Sequence, residues 1–257
     1  MRRHWTIAQS TLMGVMALTL LLGSAGLPGG TTSAAVEYTT QFPLDECTWS
    51  STGRNQYFSL RTGDWLLLEG QDDGEFVQVQ IKVLNQTKKI TFKDEEGESL
   101  TVYARVVEER EWKDGELVEV SRNYHARCVQ TNDIYYFGED VDIFDGDVVL
   151  HDGAWLAGKD TGKGKARPGL IMPGTFLLGS RYYQERAPDI ALDRAEHVQM
   201  GLTVTTPAGT FEECVKVKET TPLEPGSVSI KIYCAELGLV QDGVVQLVNF
   251  HIAGFDD

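Results

Sequence analysis

Apolar and polar residues alternate one by one along much of this chain. Over residues 75–84, Val77, Val79, Ile81 and Val83 are separated by Gln78, Gln80 and Lys82. A strict period of two places successive side chains on opposite faces of an extended chain, so the run predicts a strand with one buried face. Leu100, Val102, Ala104 and Val106 repeat the pattern, as do Val228, Ile230 and Ile232 around Ser229 and Lys231. Between them, Val118, Val120, Tyr124, Ala126 and Cys128 share one parity, and Glu119, Ser121, Asn123, His125 and Arg127 share the other. The last run sets Val244, Gln246, Val248, Phe250 and Ile252 against Val245, Leu247, Asn249 and His251; it begins apolar on both faces, as a central strand does.

Turn signals punctuate these runs. Asp73-Gly74, Asp114-Gly115, Asp145-Gly146, Asp152-Gly153 and Asp242-Gly243 are Asp-Gly pairs, which tolerate the positive φ of tight hairpins. Glu96-Gly97, Ala208-Gly209 and Pro225-Gly226 add further breaks. Strand, tight turn and strand in succession predict antiparallel hairpins. The expectation is an all-β chain, a single antiparallel domain of about ten strands arranged as a barrel or half-barrel, with a sandwich as the alternative. At most one short helix is expected, near residues 188–194. The Gly-rich, basic segment 157–175, with Lys159, Lys163, Lys165 and Arg167, interrupts the pattern as a surface loop or a lid. Residues 36–54 read as an N-terminal arm pinned through Cys47, and residues 55–257 as the β domain.

The N-terminus follows different rules. Arg2 and Arg3 precede an apolar run from Leu12 to Leu22, too short for the about 20 residues that span a bilayer. Small residues then lead to Ser33-Ala34-Ala35. Residues 1–35 therefore read as a secretory signal peptide, and the arginine pair leaves the general and the twin-arginine routes both open. No second apolar span follows, so the chain is expected to be secreted or periplasmic, without a membrane span after cleavage.

Charge narrows the partners. The sequence of 257 residues carries 23 Lys+Arg against 38 Asp+Glu, a net charge of −15. A field of that sign repels phosphate backbones and argues against nucleic-acid binding. Four cysteines, Cys47, Cys128, Cys214 and Cys234, suit two disulfides in an oxidising compartment, with three connectivities open.

Catalytic and metal signatures are weak. G-x-S-x-G is absent, and so is the strand-to-helix context it needs. Asp140, Asp142, Asp145 and Asp147 crowd into one hairpin, but an EF-hand count from Asp140 meets Phe144 at its fifth position. Incidental calcium is the most that hairpin suggests; no cofactor and no dedicated metal site are expected. On a strand His125 and Cys128 face opposite sides, which argues against a metal pair. The glycines at 162–169 do not match a phosphate-binding loop. Asn85-Gln86-Thr87 is a glycosylation sequon. Glu185 and Glu219 stand in apolar company and are the candidate pair for a carboxylate-dependent hydrolase. Aromatic residues concentrate in the middle third. Parity splits Tyr136 from Tyr135 and Phe137, so not all three line one cavity; Tyr136, Trp155, Met172, Tyr183 and Glu185 are the candidate lining of a ligand pocket.

Several ordered segments carry a resemblance. Asn55-Gln-Tyr-Phe-Ser-Leu-Arg-Thr-Gly-Asp-Trp65 with Glu69-Gly70 resembles an opening "NPYFPL-x-PG-x-x-W…EG", with Ser59 and Thr62 in place of proline. Tyr136-Phe-Gly-Glu-Asp140, Pro168-Gly-Leu-Ile-Met-Pro173, Pro207-Ala-Gly-Thr-Phe-Glu-Glu-Cys214, Thr221-Pro-Leu-Glu-Pro-Gly226 and Gly238-Leu-Val240 follow in order. Over about residues 55–250 the chain is similar to a family of secreted bacterial proteins of unassigned function. The resemblance implies an exported antiparallel β protein and carries no catalytic residue. Only Cys214 matches a family cysteine. Parity places Cys128 and Cys234 on apolar faces, so Cys128–Cys234 and Cys47–Cys214 are the expected bridges.

The expected function is an exported, non-enzymatic binding or interaction protein whose partner is a small molecule, a lipid or an envelope component. A carrier of an apolar ligand is its most concrete form. A carboxylate-dependent hydrolase and a structural cell-envelope component are the alternatives.

Overall fold

The computed structural model describes residues 37–255; the expected signal sequence lies outside them. Fifteen strands form one antiparallel sheet. In chain order they are β1 (Trp49–Ser50), β2 (Trp65–Asp72), β3 (Glu75–Lys93), β4 (Ser99–Lys113), β5 (Glu116–Cys128), β6 (Ile134–Asp145), β7 (Val148–Leu150), β8 (Trp155–Leu156), β9 (Gly169–Met172), β10 (Arg181–Tyr183), β11 (Arg194–Thr206), β12 (Gly209–Thr220), β13 (Ser229–Cys234), β14 (Gly238–Asp242) and β15 (Val245–His251). Ten of these have five residues or more, in line with the alternation; the short ones are local pairings that a period-two reading passes over.

The sheet order is β10-β11-β12-β13-β14-β15-β2-β3-β4-β5-β6-β7, so strands from the two halves of the described chain meet where β15 pairs with β2. The sheet is not closed into a full barrel. It curls, helped by register shifts such as those between Val83 and Thr87 and between Asn123 and His125, because an extra residue bends and twists its strand. The β3 shift is filled by Arg105, which donates to the carbonyls of Leu84 (3.1 Å), Gln86 (3.4 Å) and Ser51 (2.7 Å). β9 pairs with β6 and returns beside the other end of the sheet, where Arg167 N donates to Arg186 O. A Cβ at Gly169 would meet Gln184 O at 2.2 Å, so glycine permits this approach.

Two-residue loops join β2 to β3 and β4 to β5 through Asp73-Gly74 and Asp114-Gly115, all four residues at positive φ. Such turns match the twist of the flanking strands. No α-helix occurs among the described residues; a 3-10 turn spans Leu44–Glu46. The short helix expected near 188–194 is not formed. Asp189 takes φ 60, outside the helical region, and Ala187 and Ala191 exchange two backbone hydrogen bonds of 2.9 Å across the turn.

The sheet has two different faces. On β5 and β6, Tyr124, Ala126, Cys128, Tyr135 and Phe137 belong to the main apolar core. The N-terminal arm covers this face: Phe42 meets Tyr135 at 5.7 Å between ring centroids, and Trp49 meets Phe137 at 5.2 Å. The bridges differ from those expected. They are Cys47–Cys128 and Cys214–Cys234. Cys128–Cys234 would need β5 to touch β13, yet five strands lie between them in the sheet. Cys214 and Cys234 instead stand opposite each other on β12 and β13, one step from the Val215–Tyr233 pair. Cys47 ties the arm to the end of β5.

Candidate binding cavity

The second face lines a partly open cavity of about 230 Å³. Its lining comes from β2 to β6, β9 and β12 to β14, so the curled sheet wraps it from several sides. Tyr57, Phe58, Trp65, Leu66, Ile81 and Leu239 make an apolar wall. The polar parity of β5 supplies Glu119, Ser121, Asn123 and His125. These residues would face water on an ordinary half-buried strand; here they face the cavity.

The polar part is acidic. Asp64, Glu109, Glu119, Glu139, Asp152, Glu185, Asp193, Glu219 and Asp242 line it, against one basic residue, Lys231. Asp64 is occupied structurally, by Ser59 Oγ and by Ala253 N at 3.0 Å. Lys231 Nζ lies 3.2 Å from Glu219 and 3.4 Å from Asp242. Gln184 Nε2 donates to Glu219 at 2.8 Å, while Gln184 Oε1, fully buried, has no hydrogen-bond partner. Glu111 stands directly opposite Glu119 in the β4–β5 ladder, a like-charge pairing that costs stability.

Burial and mutual repulsion raise the carboxyl pKa values, burial being the larger cause. Glu109 and Glu119 are pushed up to about 7. Glu139 rises to about 8, with burial the larger cause and with Glu119, Glu109 and Asp193 adding repulsion. Burial raises Glu185 well above the usual range, helped by the charges of Asp193, Glu139 and Glu219. Asp193 rises to about 6 through burial and the charge of Glu219. His125 moves the other way, to about 3, because burial disfavours its charged form. The acids share protons near neutrality, and His125 is neutral there.

Of the five residues expected to line a pocket, Tyr136 and Glu185 do. Tyr136 donates to Asn123 Oδ1 at 2.5 Å and lies 4.6 Å from the His125 ring. Trp155 stands behind it, edge-on at 5.3 Å, in a small cluster with Ala166, Ala187 and Ala191. Met172 belongs to the main core, and Tyr183 packs on Tyr38 at 6.1 Å; neither lines the cavity. Glu185 and Glu219 share the cavity. Segment 157–175 contributes only Ile171; its base folds back through Gly158 and Ala166, both hydrogen-bonded across the loop. In the acidic hairpin, Asp140 bonds Tyr124 and pairs with Lys88, and Asp142 pairs with Arg122 and His151, while Asp145 and Asp147 lie exposed at the turn. Among the described residues, no group of three or more His, Cys, Asp or Glu side chains is placed to hold a metal ion.

Sequence reasoning missed Glu109, Glu119, Glu139, Asp193, Asp242 and Lys231 as site residues. No local signal marked them: a two-residue loop at Asp114-Gly115 sets Glu111 against Val118, and only the register shift next to Trp112 brings Glu111 opposite Glu119. Comparisons with protein-family models, with curated proteins and with solved structures each find no match to this chain.

Proposed function

We propose that this chain is an exported, non-enzymatic binding protein that holds a small ligand inside its curled sheet. The observation that carries the reading is the cavity itself: an apolar aromatic wall facing convergent polar groups, the usual composition of a ligand site. The two disulfides and the expected signal peptide support a secreted or periplasmic location. The acidic lining is a poor match for a purely apolar ligand such as a lipid chain, because burying unpaired carboxyls against hydrocarbon is costly. Native mass spectrometry of protein purified from its export compartment tests the reading. A bound small molecule, lost in variants that fill the cavity such as Ser121→Trp, is expected. A clean mass and no uptake from a metabolite extract would remove it.

A second reading, a carboxylate-dependent hydrolase, draws on Glu185 and Glu219 lining one cavity and on carboxyl pKa values spread by their surroundings. Turnover in a hydrolase screen that Glu185→Ala and Glu219→Ala both abolish would favour it. Turnover that survives both substitutions rules out this pair.

A further inference from the structure

We propose that the ligand of this cavity is a protonated amine on an apolar body. The inference rests on the binding reading above and adds the chemical class of the ligand. Nine carboxylates face one lysine in the lining, and that lysine is already held by Glu219 and Asp242. Among the described residues, Glu109, Glu119, Glu139, Glu185 and Asp193 have no Lys, Arg or His nitrogen within ion-pair distance. The cavity therefore gathers carboxyl groups whose ionised forms no protein cation balances. Gln184 adds an independent sign: its amide is buried at 3% exposure, it lines the cavity, and its oxygen accepts no hydrogen bond. A buried orphan acceptor is costly to maintain unless a donor arrives.

The lining thus offers acceptors and ionisable carboxyls beside an apolar wall. An anion meets repulsion. A neutral alcohol supplies a donor but gives the ionised carboxylates no counter-charge. A bare metal ion needs three or more close ligands, which are not gathered here. A primary ammonium supplies both a positive charge and three donors. Tyr57, Phe58 and Trp65 would hold its apolar body.

Proton linkage follows. Glu139 faces Glu119 from β5, Glu109 from β4 and Asp193 before β11, and Glu185 faces Asp193, Glu139 and Glu219. Their protons are held by burial and by these neighbouring charges. A docked cation favours the ionised carboxylates, so amine binding near pH 7 should release protons.

The test is titration calorimetry of the mature protein with 2-phenylethylammonium, 2-phenylethanol and phenylacetate, with intrinsic tryptophan fluorescence, to which Trp65 in the lining contributes, as a second readout. The ammonium compound is expected to bind at least tenfold more tightly than the alcohol, and phenylacetate not to bind measurably. The binding heat should change with the ionisation enthalpy of the buffer in the direction of proton release. Glu139→Gln with Glu185→Gln should lower ammonium affinity at least tenfold and raise the melting temperature, since the change removes repulsion. Gln184→Leu should also weaken ammonium binding, and its melting curve reports folding separately. Equal binding of ammonium and alcohol overturns the cation while leaving the pocket. Unchanged affinity in the double Gln variant overturns the proposal as well. Binding of none of the three probes, nor of putrescine or spermidine, overturns it outright, and the native mass then decides the pocket reading by itself.

Discussion

Glu139 and Glu185 are the residues at which this fold is least comfortable. Each holds its proton more tightly folded than unfolded, so each stabilises the fold below its ordinary pKa and loses that contribution as pH rises through the folded value. His125 and His197 act oppositely: held neutral, at about 3 and about 4, they cost stability as pH falls below about 6.5. Between pH 6.5 and 8.5 only the acids act. The melting temperature should therefore decline between pH 6.5 and 8.5, and Glu139→Gln with Glu185→Gln should flatten the decline; an equally steep profile in that variant would contradict the assignment. Arg105 makes a different prediction. Its guanidinium serves three backbone carbonyls, so Arg105→Ala should lower unfolding free energy by about 2–4 kcal/mol in a denaturant titration. Legibility at this scale was partial. The parity of Tyr136 against Tyr135 and Phe137 was readable, and it assigned the three correctly to two faces. Glu139 was not, because an acid facing a cavity and an acid facing water look alike in a sequence.

At the scale of strands and turns, the alternation identified the long elements, and the Asp-Gly pairs at 73–74 and 114–115 identified their turns. At 145–146 and 242–243 the glycine leads the two-residue loop, because the ladder continues through Asp145 and Asp242. Pairs distant in sequence stayed hidden. Face parity placed Cys128 and Cys234 inward but said nothing about which strands are neighbours, and neighbours decide a disulfide. Peptide mapping without reductant should recover Cys47 joined to Cys128 and Cys214 joined to Cys234. The longer bridge spans 81 residues, and removing it by Cys47→Ala with Cys128→Ala should cost roughly 4–5 kcal/mol in the loop-entropy picture, about 1 kcal/mol more than the 20-residue bridge. Gly138 marks another close approach. It has φ +132, and a Cβ there would meet Trp155 O at 2.3 Å. Gly138→Ala should detach β8, loosen Trp155 from Tyr136 and lower the melting temperature by several degrees, read by Trp emission during the melt.

Across the whole molecule, one sheet serves two purposes: its arm-covered face holds the apolar core, and its curled inner face holds the charge. The all-β class and the number of long strands were legible because periodicity and turn chemistry are local. The curl was not, because it depends on register shifts and on β9 returning beside β10, which no local pattern announces. The net charge of −15 also acts at this scale. Screening of that self-repulsion should raise the melting temperature between about 10 and 200 mM salt at pH 8; a flat response would mean that enclosed charge, not surface charge, dominates. The disulfide pattern has a consequence for how such a chain is made. Cysteines are joined first to second and third to fourth along the sequence. In a polypeptide threaded N-terminus first into an oxidising compartment, an oxidase that links each thiol to the next one to emerge writes this pattern directly. Maturation then calls for a donor of oxidising equivalents and leaves a disulfide isomerase with no mispaired bond to correct.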